Sequence, residues 1–123
     1  MCGIIGILGK SEVQDRLVDG LARLEYRGYD SAGIAVVDRA TVSVVKAVGK
    51  LDNLRSALVR RPLVGRVGIG HTRWATHGAA NEVNAHPHRA ENVTVVHNGI
   101  IENHAEIKEE LRALGVVFVS DTD

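Results

Sequence analysis

The 123-residue chain is 45% hydrophobic and 24% charged, with 15 Lys+Arg against 15 Asp+Glu and so no net charge. That length supports one domain with its own core, and the balanced charge supplies no electrostatic footprint for nucleic acid or an anionic membrane. One cysteine excludes an internal disulfide framework and a Cys-based zinc site. With no targeting segment or membrane-length apolar run in the sequence, the expected location is the cytoplasm.

In chain order, residues 3–9 are apolar and glycine-punctuated, the pattern of a short buried strand. Ser11 followed by Gln14 predicts a capping box, and Val13, Leu17, Leu21 and Leu24 then share one helical face that stops at Gly28. Gly33–Val37 and Val42–Val48, joined across Asp38–Ala40, predict a hairpin. Leu51, Leu54 and Leu58 predict a short helix before Arg61-Pro62. A strand over Val67–Thr72 leads into a polar loop from Ala75 to Asn92, and Val93–His97 is a β-branched strand ending at the turn signal Asn98-Gly99. Asn103 with Glu106 is a second capping-box pattern, opening a helix through Ile107, Leu111 and Leu114 that ends at Gly115. The run Val116–Val119 reads as a last strand. The chain stops just after it, at Ser120-Asp121-Thr122-Asp123, which predicts a break inside a domain. Hairpin spacing without regular βαβ alternation favours an antiparallel sheet covered by helices, an α+β fold.

Candidate chemistry begins at Cys2. With Met1 removed, one residue carries a thiol of pKa about 8.5 and an α-amine of about 7.7–8.0, so the amine can take the thiol proton near neutral pH. The plain alternative is a small buried hydrophobe in the first strand. In His71-Thr72-Arg73-Trp74-Ala75-Thr76-His77-Gly78, at a strand end, Arg73 offers a planar fork for a carboxylate or else a surface cation. Trp74 on its own reads as core. Asn98-Gly99 offers two donors for a developing oxyanion, or simply a type I′ turn. The six histidines, His86 and His88 among them, lack a recognisable coordination set, so no metal is expected. The charges from Glu106 to Arg112 read as a solvated helix face.

Read together, the blocks resemble a known family. Met-Cys-Gly-Ile at the start, Glu25-Tyr26-Arg27-Gly28-Tyr29-Asp30-Ser31-Ala32-Gly33, His71–Gly78, Asn84-Ala85-His86-Pro87-His88 and Val96-His97-Asn98-Gly99-Ile100-Ile101-Glu102-Asn103 occur in that order. The chain resembles the class II, N-terminal-nucleophile glutamine amidotransferases, and within them the N-terminal glutaminase domain of the glutamine–fructose-6-phosphate transaminases. The resemblance implies a four-layer α-β-β-α fold, incomplete at the C-terminus, with residues 1–123 forming the N-terminal part of the glutaminase domain and an isomerase domain absent. It implies Cys2 as nucleophile with its α-amine as base, and Asn98 with the Gly99 N–H as oxyanion hole. Arg73 would hold the glutamine α-carboxylate, with Thr76 and His77 in the same loop. Asp123 would pair with the α-ammonium, helped by the Gly99 carbonyl. Trp74 would shield the site, and Arg27 would order the N-terminal segment. The implied partners are L-glutamine, a fructose-6-phosphate isomerase domain that receives ammonia, and a second subunit of a homodimer, with no cofactor. The alternatives are a glutaminase of the same class with another ammonia acceptor, or a non-catalytic binding fragment, metal-loaded through His86 and His88 in one version.

Overall fold

A computed structural model describes residues 1–123. Four strands, β1 (Gly3–Leu8), β2 (Ser31–Asp38), β3 (Thr41–Val48) and β4 (Val67–Arg73), form an antiparallel sheet in the order β1-β4-β2-β3. The hairpin of β2 and β3 forms as the alternation predicts, with Arg39 at φ 55 in its turn. Two helices, α1 (Gln14–Leu24) and α2 (Leu51–Arg60), cover one face, α1 against β1 and β4 and α2 against β3.

Side chains alternate across a strand, so the register sorts the sheet into two faces. Ile34 and Val36 of β2 and Val45 and Ala47 of β3 point to the helices, where they meet Leu17, Val18 and Leu21 of α1 and Leu51, Leu54 and Leu58 of α2. Gly68 sits on this face because α1 lies almost on the backbone of β4: a Cβ there would come within 2.6 Å of Leu17 Cδ1. The opposite face carries Ile4, Gly33, Lys46 and His71 in one cross-strand row, followed by Ser31 and Arg73 in the next.

The helix starts differ from the capping boxes read in the sequence. Neither Val13, which precedes α1, nor Asn103, which precedes α3 (His104–Ala113), makes a side-chain cap. Gln14 Oε1 instead accepts the Leu63 N–H at 2.7 Å, tying α1 to the loop after α2. A carboxylate supplied from outside α2 serves its first turn, with Glu25 Oε1 accepting the Leu51 N–H at 2.9 Å, which meets an orphan amide and complements the helix dipole.

A two-stranded ribbon, β5 (His88–Ala90) with β6 (Val93–Val95), follows the main sheet in the chain. It touches the main sheet where the Arg89 guanidinium donates to the Val42 carbonyl at 3.0 Å. Thr122 links α3 to the ribbon: Lys108 Nζ donates to the Thr122 carbonyl at 2.9 Å, and Thr122 Oγ1 lies 3.4 Å from His88 Nε2. Gly115 ends α3 as predicted, its N–H returning to the Arg112 carbonyl at 2.9 Å. The predicted strand over Val116–Val119 does not form: no other strand lies beside it, and Val117 and Val119 are exposed. No helix is long and apolar enough to cross a membrane.

Candidate active site

Cys2 stands one residue before β1, and continuing the register places it opposite Arg73 on the face away from the helices. Its sulfur is fixed by the end of β4: the Trp74 N–H donates to Cys2 Sγ at 3.2 Å, and Sγ lies 3.6 Å from the Trp74 carbonyl. The Asp30 carboxylate braces the same strand end by accepting the Ala75 N–H at 2.6 Å. Trp74 is 44% exposed, so the core position read for it alone is wrong; its ring meets the edge of Tyr29 at 5.5 Å. The strand simply ends there, leaving no layer to cover the indole.

Asn98-Gly99 is not a hairpin turn. No strand follows it to pair with β6, and Gly99 has φ 146. The Asn98 amide instead bridges two segments: Nδ2 donates to the Cys2 carbonyl at 3.1 Å, and Oδ1 lies 2.7 Å from His71 Nε2. A primary amide has two N–H bonds, so one is left after the contact with Cys2.

Cys2, Arg73, Trp74, Thr76, His77 and Gly99 line one cleft, together with Asp123 from the end of the chain. Its free interior is about 30 Å³. Asn98 does not line this space but borders it through its bond to Cys2. His86, His97 and Thr122 complete the wall; from sequence His86 had only the alternative role of a metal ligand, and His97 and Thr122 had none. The signal for them is only partly local, because all three lie outside the regular elements, on irregular backbone that carries no periodicity.

Arg73 is 4% exposed and grips its own loop. Its guanidinium donates to the Ala79 carbonyl at 3.0 Å, to Gly78 at 3.2 Å and, more closely, to His77. It is therefore neither a surface cation nor an unengaged clamp. Asp123 accepts the Ile101 N–H at 2.6 Å. Burial works to raise its pKa, but that hydrogen bond and the nearby His77 and His97 leave it below the ordinary carboxylate value.

Behind the cleft wall, histidines crowd together. His71 and His86 stack with centroids 4.2 Å apart, and His86 meets His88 at 4.4 Å. Burial pushes His71 and His88 down to about 4 and His86 to about 3; neighbouring histidines and Arg73 act in the same direction at His71 and His86, and Lys46 and Arg73 at His88. No group of three or more His, Cys, Asp or Glu side chains has the geometry of a metal site.

No protein-family model matches the chain. Over its whole length it is 61% identical to a glutamine–fructose-6-phosphate aminotransferase (isomerising) of Rhizobium meliloti and 61% identical to that of Caulobacter vibrioides. It is 56% identical to the Escherichia coli enzyme, and it spans 20% of the length of each. Among solved structures, a glutamine phosphoribosylpyrophosphate amidotransferase from B. subtilis complexed with ADP and GMP superposes with a TM-score of 0.83 at 27% identity. The match covers all of this chain and 27% of that one. The allosteric regulatory enzyme of purine biosynthesis matches with a TM-score of 0.84 at 28% identity, over 98% of this chain and 27% of its own. The fold is that of an N-terminal-nucleophile amidotransferase domain.

Proposed function

We propose that this chain, which in sequence is a counterpart of the N-terminal fifth of glutamine–fructose-6-phosphate aminotransferases, hydrolyses L-glutamine to glutamate and ammonia. The observation that carries the reading is the Asn98 amide, which holds the backbone of the sole cysteine and has one N–H to spare.

Removal of Met1 frees the Cys2 α-amine, which takes the thiol proton. The thiolate then adds to the side-chain amide carbon of glutamine, and Asn98 Nδ2–H with the Gly99 N–H receives the charge that develops on oxygen. The protonated amine passes its proton to the departing nitrogen, the C–N bond breaks, and ammonia leaves a γ-glutamyl thioester. Water, deprotonated by the same amine, adds to the thioester and releases glutamate and the thiol. Arg73, Thr76, His77, the Gly99 carbonyl and Asp123 would orient the α-carboxylate and α-ammonium, with Trp74 over the sulfur. Because Arg73 already donates to three carbonyls of its loop, it would bind the carboxylate with its remaining donors or after the loop shifts.

Within the family reading, residues 1–123 are the N-terminal part of a glutaminase domain. The complete protein is a cytoplasmic homodimer, and the ammonia passes to a domain acting on fructose 6-phosphate.

The test is intact mass of the protein at its natural length, before and after treatment with diazo-oxo-norleucine, an electrophilic glutamine mimic. The expected result is loss of Met1 and one adduct on Cys2, blocked by excess glutamine. A Met1-processed protein that stays unmodified, or an adduct that glutamine does not suppress, overturns the reading.

A further inference from the structure

We propose, resting on the glutaminase reading, that His71 is a positioning residue which fixes the orientation of the Asn98 amide in the oxyanion hole. His71 is on β4, fully buried, and is absent from the lining of the cleft, so it acts through Asn98 and not on substrate. Its Nε2 faces two oxygens, Asn98 Oδ1 at 2.7 Å and the His97 carbonyl at 3.1 Å. A carbonyl oxygen can only accept, so Nε2 must carry the proton. The other nitrogen, Nδ1, is buried with no partner, which leaves it as the bare side of a neutral ring. Burial favours that neutral form at physiological pH, with a pKa near 4.

The consequence is directional. Turning the Asn98 amide over would set its NH2 against the His71 N–H and its oxygen against the Cys2 carbonyl, two repulsive pairs in place of two hydrogen bonds. His71 thus commits Nδ2 to the Cys2 side, where the developing oxyanion lies. Asn98 belongs to an exposed, irregular segment, whereas His71 belongs to a central strand. The tether anchors a donor on irregular backbone to the sheet, and such preorganisation is what electrostatic stabilisation of a transition state requires.

The experiment is a double-mutant cycle in the protein at its natural length, with His71→Phe and Asn98→Ala, read as glutaminase kcat and KM. Loss of an oxyanion donor costs on the order of 10²–10³ in turnover, so His71→Phe is expected to lower kcat about 10–100-fold. Its glutamine KM should stay within about threefold, and the double variant should be no slower than Asn98→Ala alone. Alkylation of Cys2 by iodoacetamide, which needs no oxyanion hole, should proceed at the parent rate. His71→Gln, whose amide N–H can still donate, should recover part of the turnover; if the Phe variant does not fold, His71→Leu, which also lacks a donor, takes its place in the cycle. A His71→Phe variant with near-parental kcat, or effects that multiply in the double variant, overturns the role. Full turnover in Asn98→Ala would sink the glutaminase reading itself, a distinct outcome.

Discussion

The two faces of the four-stranded sheet are made by alternate residues of the same strands, yet they do opposite work. On the helix side, Leu17, Leu21, Ile34 and Leu54 are fully buried in an apolar cluster, and Thr72 of β4 is buried at its edge beside Leu24. On the other side lie Ser31, Gly33, Lys46, His71 and Arg73, with Cys2 continuing the pattern. Several polar atoms there are buried without a partner, Ser31 Oγ and His71 Nδ1 among them. A period of two residues therefore lets one sheet separate an apolar core from the charged and titratable groups of the cleft.

The sharpest way to break that separation is Leu17→Ala. Leu17 packs on β4 directly behind the face that carries His71 and Arg73. Large-to-small changes at such positions cost about 2–5 kcal/mol, so the denaturation midpoint should fall markedly. Under conditions where the variant is still folded, reaction of Cys2 with the glutamine mimic should match the parent. A variant that stays stable but loses reactivity would show that the helix-side packing sets the site geometry as well.

The next change acts from the other face. Arg73→Lys keeps the charge but replaces a fork that reaches the carbonyls of His77, Gly78 and Ala79 with a single ammonium. Hydrogen bonds to charged groups are worth about 1.5–3 kcal/mol, so the glutamine KM is expected to rise about 10–100-fold, with a smaller effect on kcat. Steady-state kinetics measures the split, and limited proteolysis should show faster cutting within residues 76–80. An unchanged KM would remove both Arg73 and its loop from glutamine binding.

Much of this division was legible in the sequence. Apolar periodicity located β1 to β4, α1 and α2, because each buries a stripe that only one secondary structure can present. The hairpin and the Gly115 stop were local signals and needed nothing from elsewhere in the chain. Contacts made at a distance were not legible. Gln14 reads as a cap but serves Leu63, Asn98-Gly99 reads as a turn but reaches Cys2, and Val116–Val119 reads as a strand but has no partner. His71 lies in strand alternation with Arg73, a visible oddity in an apolar strand, yet nothing local says that its partner is Asn98. Cys2, Arg73 and Asn98 were nameable as candidates from their chemistry and from resemblance. Their grouping needed the fold.

A graded effect distinguishes the faces by pH alone. The helix side carries no titrating core group, whereas the site side buries His71, His86 and His88. Their folded pKa values, about 4, 3 and 4, lie below the ordinary value of 6.5, so the unfolded chain takes up protons first as pH falls. Their contribution to stability is present in full above pH about 6.5 and declines progressively as pH drops toward about 4. Burial is the main cause. Arg73 and the neighbouring imidazoles add to it at His86, and Lys46 and Arg73 at His88. Thermal unfolding at pH 7.5 and pH 5.0 should therefore show a clearly lower midpoint in acid. Replacing His86 or His88 with Asn should flatten that dependence without moving the midpoint much at pH 7.5. An equal acid loss in those variants would shift the titration elsewhere, and with it the claim that only one face of the sheet is tuned by protons.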